Sequence, residues 1–133
     1  MSKQAEEKTD EEWRNELSEE EYRILREAGT EPAGTSELLT VDDDGVFRCA
    51  GCEQELFESK TKFKSGTGWP SFYDPADSDA VETKPDRSHG MVRTEVVCSG
   101  CGGHLGHVFD DGPEPTGKRY CINGIALDFD ERA

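Results

Sequence analysis

The chain has 133 residues, 32% of them hydrophobic and 34% charged, which fits one domain with a core small enough for a metal staple to help. Thirty Asp and Glu against 15 Lys and Arg give a formal charge of −15, which disfavours nucleic acid and anionic membranes as partners. No apolar run approaches the roughly 18 residues of a membrane helix, and Met1 to Glu7 lacks the basic start and apolar centre of a secretory signal, so the chain reads as cytoplasmic.

Residues 1–9 read as a polar, flexible N-terminal tail, and residues 10–133 as a single catalytic domain that includes an N-terminal helical arm at 10–29. In that arm Asp10 can cap a short helix with Trp13 and Leu17 on one face. Ser18 and Glu21 have capping-box spacing for a second helix, with Tyr22, Leu25 and Ala28 along one stripe and Gly29 as its stop. Such narrow stripes cannot make a domain alone, so both helices are expected to lie against a sheet.

After the loop Glu31-Pro32-Ala33-Gly34 the pattern changes to strands. Leu38 to Val41 and Val46 to Cys49 flank Asp42-Asp43-Asp44-Gly45, which predicts a hairpin. The segment from Ser65 to Asp77 is loop-like yet holds Trp69, Phe72 and Tyr73; it either folds back as core or lines a pocket. Met91 to Val97, Val108-Phe109, Arg119 to Asn123 and Ile125 to Phe129 are further strand candidates. The acids are spread along the whole chain, which favours a salt-adapted surface over a disordered acidic tail.

Four of the five cysteines form two CxxC pairs, Cys49/Cys52 and Cys98/Cys101. Tight turns at Gly51 and Gly100 would let each pair converge on one ion, and two such knuckles complete the tetrahedral thiolate shell of a structural zinc, one Zn²⁺ per chain. A shell of three cysteines and His104 is the alternative ligand set. A pair of redox dithiols would use the same residues separately. Cys121 is left over, either a small core residue or a nucleophile, and in an extended segment Arg119 and Asn123 share its face, where a basic group would favour the thiolate. His104 and His107 precede a strand and could supply an acid that works near neutrality, whereas His89 stands alone and reads as structural. A binding module with Cys121 as core filler and Trp69 and Phe72 as a docking patch would need neither this alternation nor paired histidines.

Gly-Trp-Pro-Ser-Phe at 68–72, His-Leu-Gly-His-Val-Phe at 104–109, Pro-Thr-Gly-Lys-Arg-Tyr-Cys-Ile-Asn at 115–123 and the two CxxC units occur in the order seen in type B methionine sulfoxide reductases. The chain resembles that family from about Trp13 to Phe129. The resemblance implies a mainly β fold of two antiparallel sheets with a zinc held by four cysteines, and reduction of the R epimer of methionine sulfoxide in proteins. It implies Cys121 as the nucleophile that becomes a sulfenic acid, His107 as the acid and His104 as its partner at the oxygen. By the same resemblance Asn123 and Arg119 orient the histidines and stabilise the thiolate, and Trp69 packs on the substrate's S-methyl group. Phe109, Glu95, Thr30 and Asp110 are weaker candidates for the pocket and its surroundings.

Two positions depart from the family pattern. Thr67 stands where many members carry a resolving cysteine, and Gly124 stands where serine commonly follows the asparagine. If zinc takes four thiolates, no cysteine remains to pair with Cys121. The expected partners are then oxidised methionine in proteins and an external thiol reductant (thioredoxin, glutaredoxin or a small thiol), with a monomer as the default.

Overall fold

Strand β1 (Gly45–Cys49) is buried along nearly its whole length, because it lies between two partners. In the computed structural model, which describes residues 10–131 apart from 28, 41–43, 64, 78 and 88–91, β1 pairs antiparallel with β2 (Glu55–Glu58) on one side. On its other side it pairs with β9 (Leu127–Glu131), close to the chain's end. The remaining strands are β3 (Lys62–Phe63), β4 (Ser71–Phe72), β5 (Val81–Asp86), β6 (Arg93–Cys98), β7 (His104–Phe109) and β8 (Arg119–Ile122). They form a second antiparallel sheet in the order β3-β4-β8-β7-β6-β5.

Aromatic rings join the two sheets. Phe72 of β4 stacks on Phe57 of β2 with centroids 4.4 Å apart and meets Phe47 of β1 edge-on at 5.1 Å. All three are fully buried, each side chain contributing about 1.5–3 kcal/mol of transfer free energy. The aromatic segment expected as either core or pocket wall is therefore both: Phe72 enters the core, while Trp69 remains at a pocket.

Helices α1 (Asp10–Glu16) and α2 (Glu19–Leu25) precede the sheets. The Ser18/Glu21 capping box closes in both directions, at 3.0 and 3.1 Å. Trp13, Leu17, Tyr22 and Leu25 are buried as their spacing predicts, and α2 packs on β7 and on the 3-10 helix Gly124–Ala126. The second helix ends at Leu25 with Arg26 as its C-cap, short of the predicted end, and Ala28 lies outside the described residues.

The predicted hairpin across Asp42 to Gly45 does not form. Glu37–Thr40 is a 3-10 helix, Val41 to Asp43 lie outside the described residues, and β1 finds β2 and β9 instead. Ile125 likewise falls in the 3-10 helix Gly124–Ala126 rather than in a strand. Among the described residues no helix is long and apolar enough to cross a membrane.

Candidate active site

Hydrogen-bond register assembles the site. Cys121 on β8 lies directly opposite His107 on β7, and His107 lies opposite Glu95 on β6. Directly opposed residues share a face, so Cys121, His107 and Glu95 form one row across the sheet. Asp86 and Arg93, paired on β5 and β6, lie on the same face one pleat repeat further along.

His104 and His107 are three apart, a spacing that sends side chains to opposite faces in a regular strand. The β6/β7 register shifts between Val96 and Val97: Val96 faces Gly106 while Val97 faces His104, leaving Leu105 as an extra residue. This bulge returns His104 to the face of His107, and their rings meet edge-on with centroids 5.5 Å apart. Both histidines belong to β7 rather than preceding a strand. Gly106 is required at the bulge, since a Cβ there would lie 2.1 Å from the Cys121 carbonyl oxygen.

The two imidazoles are anchored on different carboxylates. His104 Nδ1–H donates to Glu95 Oε2 at 2.7 Å, and His107 Nε2–H donates to Asp86 Oδ2 at 2.7 Å. Asp86 also pairs with Arg93 at 3.5 Å. Burial holds His104 below its ordinary pKa, with Glu95 opposing the shift, which favours the neutral form, and with Nδ1–H given to Glu95 the neutral ring has Nε2 as its acceptor. That Nε2 is buried and has no hydrogen-bond partner among the described residues.

Cys121 opens on a pocket of about 90 Å³ that Thr30, Trp69, Arg93, His107, Phe109 and Asn123 also line. This volume suits a side-chain end rather than a drug-sized ligand of roughly 300 Å³ or more. Burial pushes the Cys121 thiol up, while the Thr67 hydroxyl, 3.7 Å from Sγ, and the Arg119 guanidinium pull it down. Arg119 is locked by a bidentate pair to Asp111 at 2.8 and 3.1 Å and by its stack on Phe109 at 4.4 Å. The Asn123 side chain bonds neither histidine: it donates to the Leu105 carbonyl at 3.0 Å and accepts from Glu31 N–H at 2.9 Å. Asp110 faces solvent in a pair with Lys118, and His89 lies outside the described residues.

Arg93 lines this pocket, Asp86 holds His107, and Glu31 bonds Trp69 and Asn123, and nothing in the sequence marks these three for the site. The strand carrying Asp86 is polar and contains Pro85, so no alternation marked it. Only the His-x-x-His spacing, unsuited to a regular strand, carried a signal of the bulge.

Away from this pocket the four remaining cysteines converge, their sulfurs all within 4.8 Å of one another. Cys49–Cys101 and Cys52–Cys98 are 3.7 and 3.5 Å apart. A tetrahedral ion with metal–sulfur bonds of about 2.3 Å sets its sulfurs about 3.8 Å apart, so the donor set fits a metal ion. Cys101 raises the Cys49 thiol while Cys49 holds Cys101 down, as expected where crowded sulfurs share protons. His104, bound to Glu95, is no member of the cluster.

The knuckles are built alike: Glu53 N–H donates to the Cys49 carbonyl at 2.8 Å, and Gly102 N–H to that of Cys98 at 2.7 Å. Positive φ falls on those two residues, at 68° and 73°, rather than on Gly51 and Gly100. Gly51 and Gly100 serve close approach instead, each Cβ position lying within 3.6 Å of a cluster sulfur.

Residues 17–131 match the SelR domain family. A peptide methionine sulfoxide reductase MsrB of Methanosarcina barkeri is 57% identical over 129 residues, covering 97% of this chain and 91% of the relative. Proteins of the same name from Leptospira interrogans and Thiobacillus denitrificans are 57% and 59% identical over 122 residues, each covering 92% of this chain and 93% and 92% of the relative.

Proposed function

The chain belongs to the SelR-domain family of MsrB peptide methionine sulfoxide reductases, and from that premise we propose that it reduces the R epimer of methionine sulfoxide in proteins through Cys121 alone. The observation that carries this reading is the register pair of Cys121 and His107 beside a pocket walled by Trp69 and Phe109. Trp69 offers its indole to the S-methyl group, a favourable sulfur–aromatic contact. Phe109 closes the apolar side.

The Cys121 thiolate attacks the sulfoxide sulfur while His107, in its protonated form, gives a proton to the oxygen through Nδ1, its Nε2–H being held by Asp86. Neutral His104 can accept a hydrogen bond from the protonated oxygen through its unpartnered Nε2. The substrate's S–O bond and the new S–S bond then break as the protonated oxygen passes to the Cys121 sulfur, which becomes a sulfenic acid; methionine leaves, its sulfur reduced by two electrons as the cysteine sulfur is oxidised. Two external thiols then return Cys121 to the thiol, releasing water and a disulfide. Arg119 favours the thiolate by its charge, and Asn123 braces the β7 bulge through Leu105.

A cytoplasmic location in a reducing compartment agrees with this thiol chemistry. In the four-cysteine cluster Cys49, Cys52, Cys98 and Cys101 would hold zinc, which would clamp the β1–β2 turn to the β6–β7 turn as a structural ion. With Thr67 beside Cys121 and the other four thiols committed, no internal cysteine resolves the sulfenic acid.

Native mass spectrometry before and after one equivalent of an R-sulfoxide peptide, without external thiol, tests this reading. The expected spectrum shows about one zinc per chain throughout and gains one oxygen on Cys121. A chain without metal, or a loss of two hydrogens marking an internal disulfide, would contradict it.

A further inference from the structure

Glu31 is 1% exposed, although it lies in an irregular segment between α2 and the 3-10 helix Glu37–Thr40. All its hydrogen bonds reach far along the chain. Its carbonyl accepts the Trp69 indole N–H at 2.9 Å, and its own N–H donates to Asn123 Oδ1 at 2.9 Å. Its carboxylate Oε1 accepts from the Ile125 N–H at 2.9 Å, at the start of the short 3-10 helix that follows β8. Oε2 is buried and has no hydrogen-bond partner among the described residues. A buried carboxylate with one bond is an expensive group to keep, so some other gain must offset it.

We propose that Glu31 is a positioning residue of the sulfoxide pocket, a buried clamp whose main chain fixes Trp69 and Asn123 and whose carboxylate ties that main chain to the segment behind Cys121. This rests on the proposed function of the pocket. Side chain and main chain act in series: the Ile125 bond immobilises residue 31, and residue 31 immobilises the indole and the amide on the pocket wall. Neighbouring contacts support the same strap. Gly34 N–H donates to the Gly68 carbonyl at 2.7 Å, and a Cβ on Gly68 would lie 2.8 Å from that of Ala33. On the same side Ser36 packs closely on Gly124, where a Cβ would lie 1.9 Å from the serine Oγ, so the strap and the segment after β8 meet at both Glu31 and Ser36.

The test compares Glu31→Leu, which keeps volume and loses the acceptor, with Glu31→Gln, which keeps an acceptor for Ile125. Each is made in a Trp13→Phe background so that Trp69 is the only indole. Glu31→Leu is expected to red-shift Trp69 emission and to cut kcat/KM for an R-sulfoxide peptide roughly 10- to 100-fold, the scale of a misplaced substrate-binding group. Glu31→Gln is expected to restore both. Ile125→Pro deletes the same bond from its donor side and should reproduce Glu31→Leu, which keeps the test open if the leucine variant does not fold.

Wild-type emission and kinetics in a folded Glu31→Leu or Ile125→Pro, or no rescue by glutamine, would overturn the clamp. The fluorescence arm needs no substrate. A wild type inactive on sulfoxide but with the expected emission shifts would therefore overturn the assigned function and not the clamp.

Discussion

Cys121 sits in a balance of opposed influences. Burial raises its thiol, while the Thr67 hydroxyl and the Arg119 guanidinium lower it. Removing the cation should tip the balance further upward, leaving less thiolate at any fixed pH below the thiol's own range. Arg119→Met is therefore expected to slow alkylation of Cys121 near neutrality by about 3- to 10-fold, up to about one pKa unit, and to displace the rate profile toward higher pH. Stopped alkylation followed by mass spectrometry reads this directly, and an unmoved profile would remove Arg119 from that role. The alternation of Arg119, Cys121 and Asn123 was legible in the sequence because period-two spacing alone sets it. The partners of these residues were not. Asn123 bonds Glu31, 92 positions away, and only the closed fold brings them together.

At the scale of elements, the site depends on one irregular strand. The bulge at Leu105 gives β7 two histidines on one face, and Gly106 lets β8 approach closely enough for Cys121 to face His107. A methyl group at Gly106 would meet backbone atoms that cannot swing away. Gly106→Ala is thus expected to lose roughly 3 kcal/mol of stability in urea titrations, and a loss below about 0.5 kcal/mol would show that the strands can part without harm. The capping box, the apolar helix stripes and the cysteine knuckles were readable because each is a local pattern. Strand β5 was not, since its exposed face is polar and its partner β6 supplies the order. The segment Glu37–Thr40 defeated the hairpin reading for a related reason: β1 had better partners in β2 and in β9, the latter about 80 residues away by Cα register.

For the whole molecule, composition dictated a small core, and the two sheets meet that limit by sharing three packed phenylalanines, one pair stacked and one edge-on, while the cysteine cluster brings their turns together. The charge of −15 is a property of the surface as a whole. Self-repulsion among so many carboxylates opposes compaction and is screened by salt. Raising KCl from about 0.01 to about 1 M shortens the screening length from about 30 to about 3 Å, and the melting temperature is expected to rise by several degrees as it does; a flat response would count against salt adaptation. Whether Cys121 by itself carries oxygen from R-methionine sulfoxide to an external thiol is decided with separated R and S epimers. The wild type and Cys121→Ser would be assayed with dithiothreitol as reductant. The wild type is expected to reduce the R epimer alone and the serine variant to reduce neither. Reduction of the S epimer in preference, or activity surviving in Cys121→Ser, would contradict it.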